Sequence, residues 1–286
     1  MHPCDRVDPD SWPATWLRPD WPRAEPGVGA VMSTRQAPGG GAPAPGPYAD
    51  FNLGDHVGDA PGRVAANRET LARLTGTRPV WLQQVHGLRV VRLSTDPMDG
   101  ALCIDGERAP AGPVEADGSW TTEPGLACAV MVADCQPVLL VAPDGRGVAA
   151  LHAGWRGLCG AGATAAGGII EVGLSALCQA LGCAPGDVQA WLGACIGPSA
   201  FEVGRDVVVA FGADPGRPHP RFHPVPGQEG AKWWADLPGL ARDRLHALGV
   251  RHVAGGDACT VSDPSRFFSF RRDRVTGRMA ALVWRR

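Results

Sequence analysis

Residues 133–157 read Ala-Asp-Cys-Gln-Pro-Val-Leu-Leu-Val-Ala-Pro-Asp-Gly-Arg-Gly-Val-Ala-Ala-Leu-His-Ala-Gly-Trp-Arg-Gly. Residues 138–141 are apolar and β-prone, 143–147 are turn formers, and 148–151 are apolar again. That order is the pattern of a β-hairpin. Folding it about the turn brings the start of the first strand beside the end of the second, so Cys135 and His152 arrive on one edge. A thiolate beside an imidazole binds a soft metal or does nucleophilic chemistry.

Outward from the hairpin, helices are expected over 63–74, 160–181 and 237–248. In the first, Val64, Leu71 and Leu74 share a side and Gly76 stops the helix. Strands are expected at 80–82 and 90–93, flanking His86-Gly87, and at 126–132 and 188–192. A closing hairpin is expected from 267–270 and 278–284. Strands and helices mix without regular alternation, which points to an α+β fold: a single domain with mixed β-sheets flanked by helices. Residues 1–32, with Trp12, Trp16 and Trp21 among prolines and charges, read as an N-terminal arm laid on a domain spanning 33–286. Residues 36–47, rich in Pro, Gly and Ala, read as a flexible loop.

A chain of 286 residues has ample core for such a domain. Its formal net charge is −2 with no basic run, so nucleic acid is not an implied partner. No stretch is long enough to span a membrane. Residues 1–19 lack an apolar segment behind a basic end, so no signal peptide is expected and the expected compartment is the cytoplasm. There the nine cysteines read as reduced thiols. None forms a Cys-X-X-Cys pair, so a four-cysteine structural zinc site is not expected.

The third candidate beside Cys135 and His152 is His86, in Gln83-Gln84-Val85-His86-Gly87. His, Cys and His suit zinc, with a fourth place left for water or substrate. Only the nearness of Cys135 to His152 follows from pattern. Asp134 has two readings, a carboxylate that orients an imidazole or a cap on the strand turn. Singly, each residue has a plainer role: a buried Cys packs as a small hydrophobe, and a His beside Gly bonds a loop.

Several ordered blocks carry a family resemblance. They are Phe51-Asn52-Leu53-Gly54-Asp55-His56-Val57-Gly58-Asp59, Gln84-Val85-His86-Gly87, Ala133-Asp134-Cys135 and Leu151-His152-Ala153-Gly154-Trp155-Arg156-Gly157. Ala194-Cys195-Ile196-Gly197-Pro198, Cys259-Thr260-Val261-Ser262-Asp263-Pro264 and Arg271-Arg272-Asp273 complete the series. From about residue 33 onward the chain resembles the bacterial proteins called laccase-domain, polyphenol oxidase or peptidoglycan editing factor proteins, also described as zinc-dependent purine nucleoside phosphorylases. The resemblance implies one zinc per chain on His86, Cys135 and His152. It implies phosphorolysis of adenosine, inosine, guanosine and methylthioadenosine, and deamination of adenosine. Purine nucleosides and phosphate would then be the partners. Phosphate needs cations to hold it, and the arginine fork matches it. The candidates are Arg35, Arg156 and Arg272. Asn52 is a candidate for bonding ribose or base, with a turn cap as its alternative. The stretch 35–48 is longer and richer in Pro and Ala than the family's usual glycine turn.

Two rival activities stay open. Copper also takes two His and a Cys and can replace zinc, which keeps a copper polyphenol oxidase in view. The chain has no His-X-His pair of the kind that holds a trinuclear copper cluster. Alternatively, Cys135 as nucleophile with His152 as base describes a metal-free hydrolase that edits a peptidoglycan precursor.

Overall fold

The computed structural model describes residues 12–23, 25–39, 46–160 and 167–286. Its centre is the hairpin. Gln136–Val141 pairs antiparallel with Val148–Ala153, with Pro137 opposite His152 and Val141 opposite Val148. These two strands are the middle of an eight-stranded mixed sheet. Gln189–Leu192 and His252–Gly255 extend it on one side. Gly118–Thr121, Val90–Thr95, Leu102–Ile104 and Glu107–Arg108 extend it on the other.

A second sheet of four strands is ordered Val28–Met32, Met279–Arg285, Leu126–Val132 and Arg78–Val80. It packs face to face on the first, so both faces of the hairpin are covered. Leu139 and Val141 pack toward the smaller sheet with Val130 and Val132. Their neighbours Val138 and Leu140 turn to the opposite core, with Leu174 and Leu177 of the helix Ile169–Leu181 and Leu240 and Leu245 of the helix Leu237–Ala247. Strand side chains alternate in direction, so a strand covered on both faces reads as an unbroken apolar run. The outer face of the four-stranded sheet, with Ala129, Ala280 and Leu282, is covered by Phe51, Leu53 and Leu71 of the segment and helix that precede it. That helix, Pro61–Thr75, ends on Gly76 at φ 65°, where the left-handed turn favours glycine. A three-stranded sheet, Glu202–Gly204, Lys232–Ala235 and Phe222–Pro224, completes the mixed-sheet single domain. No helix among the described residues is long and apolar enough to cross a membrane.

Three local expectations differ from the structure. The helix expected from 160 begins at Ile169. Gly160, at φ 72°, closes a separate short helix, Trp155–Cys159, and the Gly168 N–H is bonded by Glu171 at 2.9 Å to start the longer one. Residues 161–166 lie outside the described set. The C-terminal hairpin does not form. Met279–Arg285 is taken on both edges by Val28–Met32 and Leu126–Val132. Phe267 and Phe268 are core side chains instead, and Ser269 caps the one-turn helix Phe270–Asp273. The surface arm is also replaced by packing. Trp12 and Trp16 are buried, the Trp12 indole donates to the Leu74 carbonyl at 2.7 Å, and Val28–Met32 is a fully buried edge strand of the four-stranded sheet.

Candidate metal centre and its cavity

The hairpin register places Cys135, one residue before its strand, beside His152 near the end of the partner strand. His86 reaches them from the loop that precedes Val90–Thr95. The ligand atoms of His86, Cys135 and His152 all lie within 4.8 Å of one another. Cys135 Sγ is 3.6 Å from His86 Nε2, and the two imidazoles meet edge to face at 4.8 Å between centroids. His152 is buried, Cys135 half-buried and His86 exposed, so the group opens on one side. Gly154 is required here: a Cβ on it would meet His86 Cδ2 at 2.7 Å and Cys135 Sγ at 3.1 Å. Two nitrogens and a sulfur converging on one point, with a side left open, fit zinc or a neighbouring soft metal.

The organiser of the group is Asp117, a residue the sequence reading missed. It precedes Gly118–Thr121, whose neighbours are the His152 strand on one side and Val90–Thr95 on the other. Three strand ends therefore converge on one buried carboxylate. Asp117 Oδ1 lies 2.8 Å from His152 Nδ1 and accepts the His86 N–H at 2.9 Å. Its Oδ2 accepts the Gly87 and Val85 N–H groups at 2.7 and 3.2 Å. The carboxylate thus sits in a ring of backbone donors and holds His86 at its positive φ of 61°. It also occupies Nδ1 of His152, leaving Nε2 for a metal. Burial pushes the Asp117 carboxyl up, but the His152 ring and the backbone donors hold it below its ordinary value. Burial likewise raises the Cys135 thiol, yet His152 and then His86 outweigh it and bring it down to about 6.

Asp134 does not orient an imidazole. Its Oδ1 accepts from Thr260 Oγ1 at 2.5 Å and its Oδ2 from the Arg271 N–H at 2.6 Å, while its carbonyl accepts the Ile196 N–H at 2.9 Å. It is a tie between four of the sequence blocks, nearer the strand-turn reading than the second.

The three ligands line a cavity of about 390 Å³. A family profile described as multi-copper polyphenol oxidoreductase laccase matches residues 30–286. The chain belongs to that family. A purine nucleoside phosphorylase, YfiH of Escherichia coli (strain K12), is 42% identical over 268 residues, covering 93% of this chain and 97% of that protein. A purine nucleoside phosphorylase of Pseudomonas aeruginosa is 42% identical over 269 residues, covering 94% and 98%. Among solved structures, YlmD of Geobacillus stearothermophilus superposes with a TM-score of 0.77 at 32% identity, covering 95% of this chain and 96% of that one. A Neisseria meningitidis protein gives 0.74 at 37% identity, covering 95% and 99%.

Of the substrate residues expected in this laccase-family chain, Arg156 alone lines the cavity, exposed and stacked over the Trp155 ring at 4.5 Å. Arg35 is spent on the Ala49 and Pro264 carbonyls, and Arg272 on those of Thr260, Val261 and Phe267. Asn52 is fully buried and bonded to Gly54, Asp59 and the Arg278 N–H, so it closes a loop and offers nothing to a ligand. Arg271 and Arg278 line the cavity and were not anticipated. Arg271 lies in the helix Phe270–Asp273 and Arg278 just before the strand Met279–Arg285, and no local spacing ties that C-terminal segment to residue 135. His56, in the Asn-Leu-Gly block, stands at the same wall.

Proposed function

We propose that the protein is a zinc-dependent purine nucleoside phosphorylase, acting on adenosine, inosine, guanosine and methylthioadenosine, with adenosine deamination as a second reaction of the same centre. One observation carries the reading: the His86–Cys135–His152 group and the guanidinium side chains of Arg156, Arg271 and Arg278 open into one cavity. A metal group and an anion-holding wall in one space are what joining phosphate to a polarised nucleoside requires. The relatives named purine nucleoside phosphorylase support it, since they match over nearly the whole chain. The volume of about 390 Å³ suits a ligand of nucleoside size.

Zinc, when bound, supplies a Lewis acid at neutral pH. The protein's own groups do the rest. Asp117 fixes the ring and tautomer of His152 through Nδ1. Trp155, Phe201 and Phe270 give the cavity apolar wall beside a planar base. Arginines bring phosphate out of water and hold its charge against the sugar.

The test is metal content and adenosine turnover on one preparation, with and without phosphate. Near one zinc per chain, with adenine and ribose 1-phosphate formed only when phosphate is present, is the expected result. Inosine alone, independent of phosphate, would leave only the deaminase half. A second reading has one observation in its favour, the Cys135 thiol drawn down to about 6 beside His152. That pair is the arrangement of a thiol hydrolase. Metal-free protein that forms neither nucleoside product, yet is inhibited by iodoacetamide on a peptidoglycan precursor, would move the assignment there. Copper in place of zinc, with turnover of a phenol, would favour the oxidase.

A further inference from the structure

Arg156, Arg271 and Arg278 all line the cavity, and none has a carboxylate within ion-pair reach among the described residues. Arg156 lies out on Trp155, and Arg271 donates to the Glu202 carbonyl and stacks on Phe201. Arg278 is set apart by its burial in the wall, where its guanidinium Nη1 donates to the Thr276 and Gly277 carbonyls, each at 3.1 Å. Arg278 is only partly exposed and lines the cavity with Cys135 and His56. Burial in the wall pulls it below its ordinary value, against the opposing charges of Cys135 and Asp134. A desolvated guanidinium without a carboxylate partner is costly unless a ligand completes it.

The side chain is also deliberately placed. The Arg278 N–H donates at 2.8 Å to Asn52 Oδ1, and Asn52 is itself locked by Asp59 and Gly54. Gly54 leaves room for the stem: a Cβ there would meet Arg278 Cγ at 2.7 Å. Asn52 and Gly54, which do not line the cavity themselves, thus act by placing Arg278.

We propose that Arg278 is the residue that holds the phosphate co-substrate, with Asn52 and Gly54 as its positioning residues. The inference rests on the phosphorylase reading for the fate of that phosphate, and on geometry alone for the binding of the anion. A guanidinium in the same cavity as the metal group would hold phosphate beside a nucleoside bound there.

The test uses the metal-loaded full chain as wild type, Arg278→Gln, Arg278→Lys and Gly54→Ala. Three readouts are taken: zinc per chain, the phosphate KM for adenine release at saturating adenosine, and the Kd for inorganic phosphate by calorimetry without nucleoside. Arg278→Gln is expected to raise both KM and Kd by about tenfold to a hundredfold at unchanged zinc content. Gly54→Ala, which keeps the guanidinium and only displaces it, is expected to move both in the same direction. Arg278→Lys, a point charge without the fork, is expected to fall between. If Arg278→Gln does not fold, the Lys and Gly54 variants carry the test. Wild-type KM and Kd in the folded variants overturn the proposal, as does a wild type that does not bind phosphate. A wild type that binds phosphate through Arg278 but releases no adenine sustains the site and refutes the phosphorylase reading.

Discussion

At the scale of single residues, the site is held by groups that do not touch a metal. Asp117 is the case in point, since one carboxylate fixes the His152 ring and the backbone that presents His86. Asp117→Asn keeps the shape but cannot accept from four donors with both atoms. Zinc affinity, read by competition with a chelator, is expected to fall about 10–100-fold. An unchanged affinity would show that Asp117 serves folding alone. Gly154→Ala tests the crowding from the opposite side. Its Cβ, 2.7 Å from His86 Cδ2 and 3.1 Å from Cys135 Sγ, forces the ligands apart. Zinc retention is expected to drop sharply while the far-ultraviolet circular dichroism stays that of wild type. A variant that holds zinc as tightly as wild type would mean the ligands can shift without cost.

At the scale of elements, the start of the helix Pro61–Thr75 depends on charge. Asp59 accepts from the Ala60 N–H at 2.7 Å, from Asn52 at 2.9 Å and from the Arg63 guanidinium. Burial pushes the Asp59 carboxyl up, but those hydrogen bonds outweigh it and hold it below its ordinary value. The sign follows from linkage. A depressed folded pKa contributes stability that is full above the unfolded value, about 3.9, and is lost as pH falls through the folded one. The gap in urea midpoint between wild type and Asp59→Asn is therefore expected to be wide at pH 7 and to narrow below pH 4. A gap that stays constant across that range would exclude an ionised Asp59 as its source. The same element shows what sequence makes legible. Its apolar spacing and Gly76 stop are local, and the helix lies where they place it. So does the central hairpin, because both strands and the turn lie within residues 136–153. The last strand has partners near residues 30 and 130, and its apparent pairing with 267–270 was a local pattern overruled by them. Asp117 escaped notice for the same reason, since its role exists only once strands from three parts of the chain have met. Arg278 likewise looks like an ordinary surface arginine until Asn52 is found bonded to its backbone.

At the scale of the whole molecule, the site depends on a layered stack of helix, four-stranded sheet, eight-stranded sheet and helices. The ligand-bearing hairpin is at its centre, so the outermost layer supports the chemistry indirectly. Trp12 is the sharpest test of that outer layer. It is 6% exposed, lies 5.7 Å from the Trp284 ring, and donates to the carbonyl of Leu74. It thereby pins the N-terminal segment across both the helix and the last strand. Truncating a buried Trp to Ala costs about 3–5 kcal/mol when the surroundings cannot collapse into the space. Trp12→Ala is expected to lower the urea-unfolding free energy by an amount in that range. The metal ligands lie two layers away, so zinc per chain in the folded variant should remain that of wild type. A loss below about 0.5 kcal/mol would mean that the segment rests on the fold without stabilising it. A loss of zinc in a variant that is still folded would show instead that the outer layer transmits strain through the four-stranded sheet to the hairpin, and that the layers cannot be treated as independent.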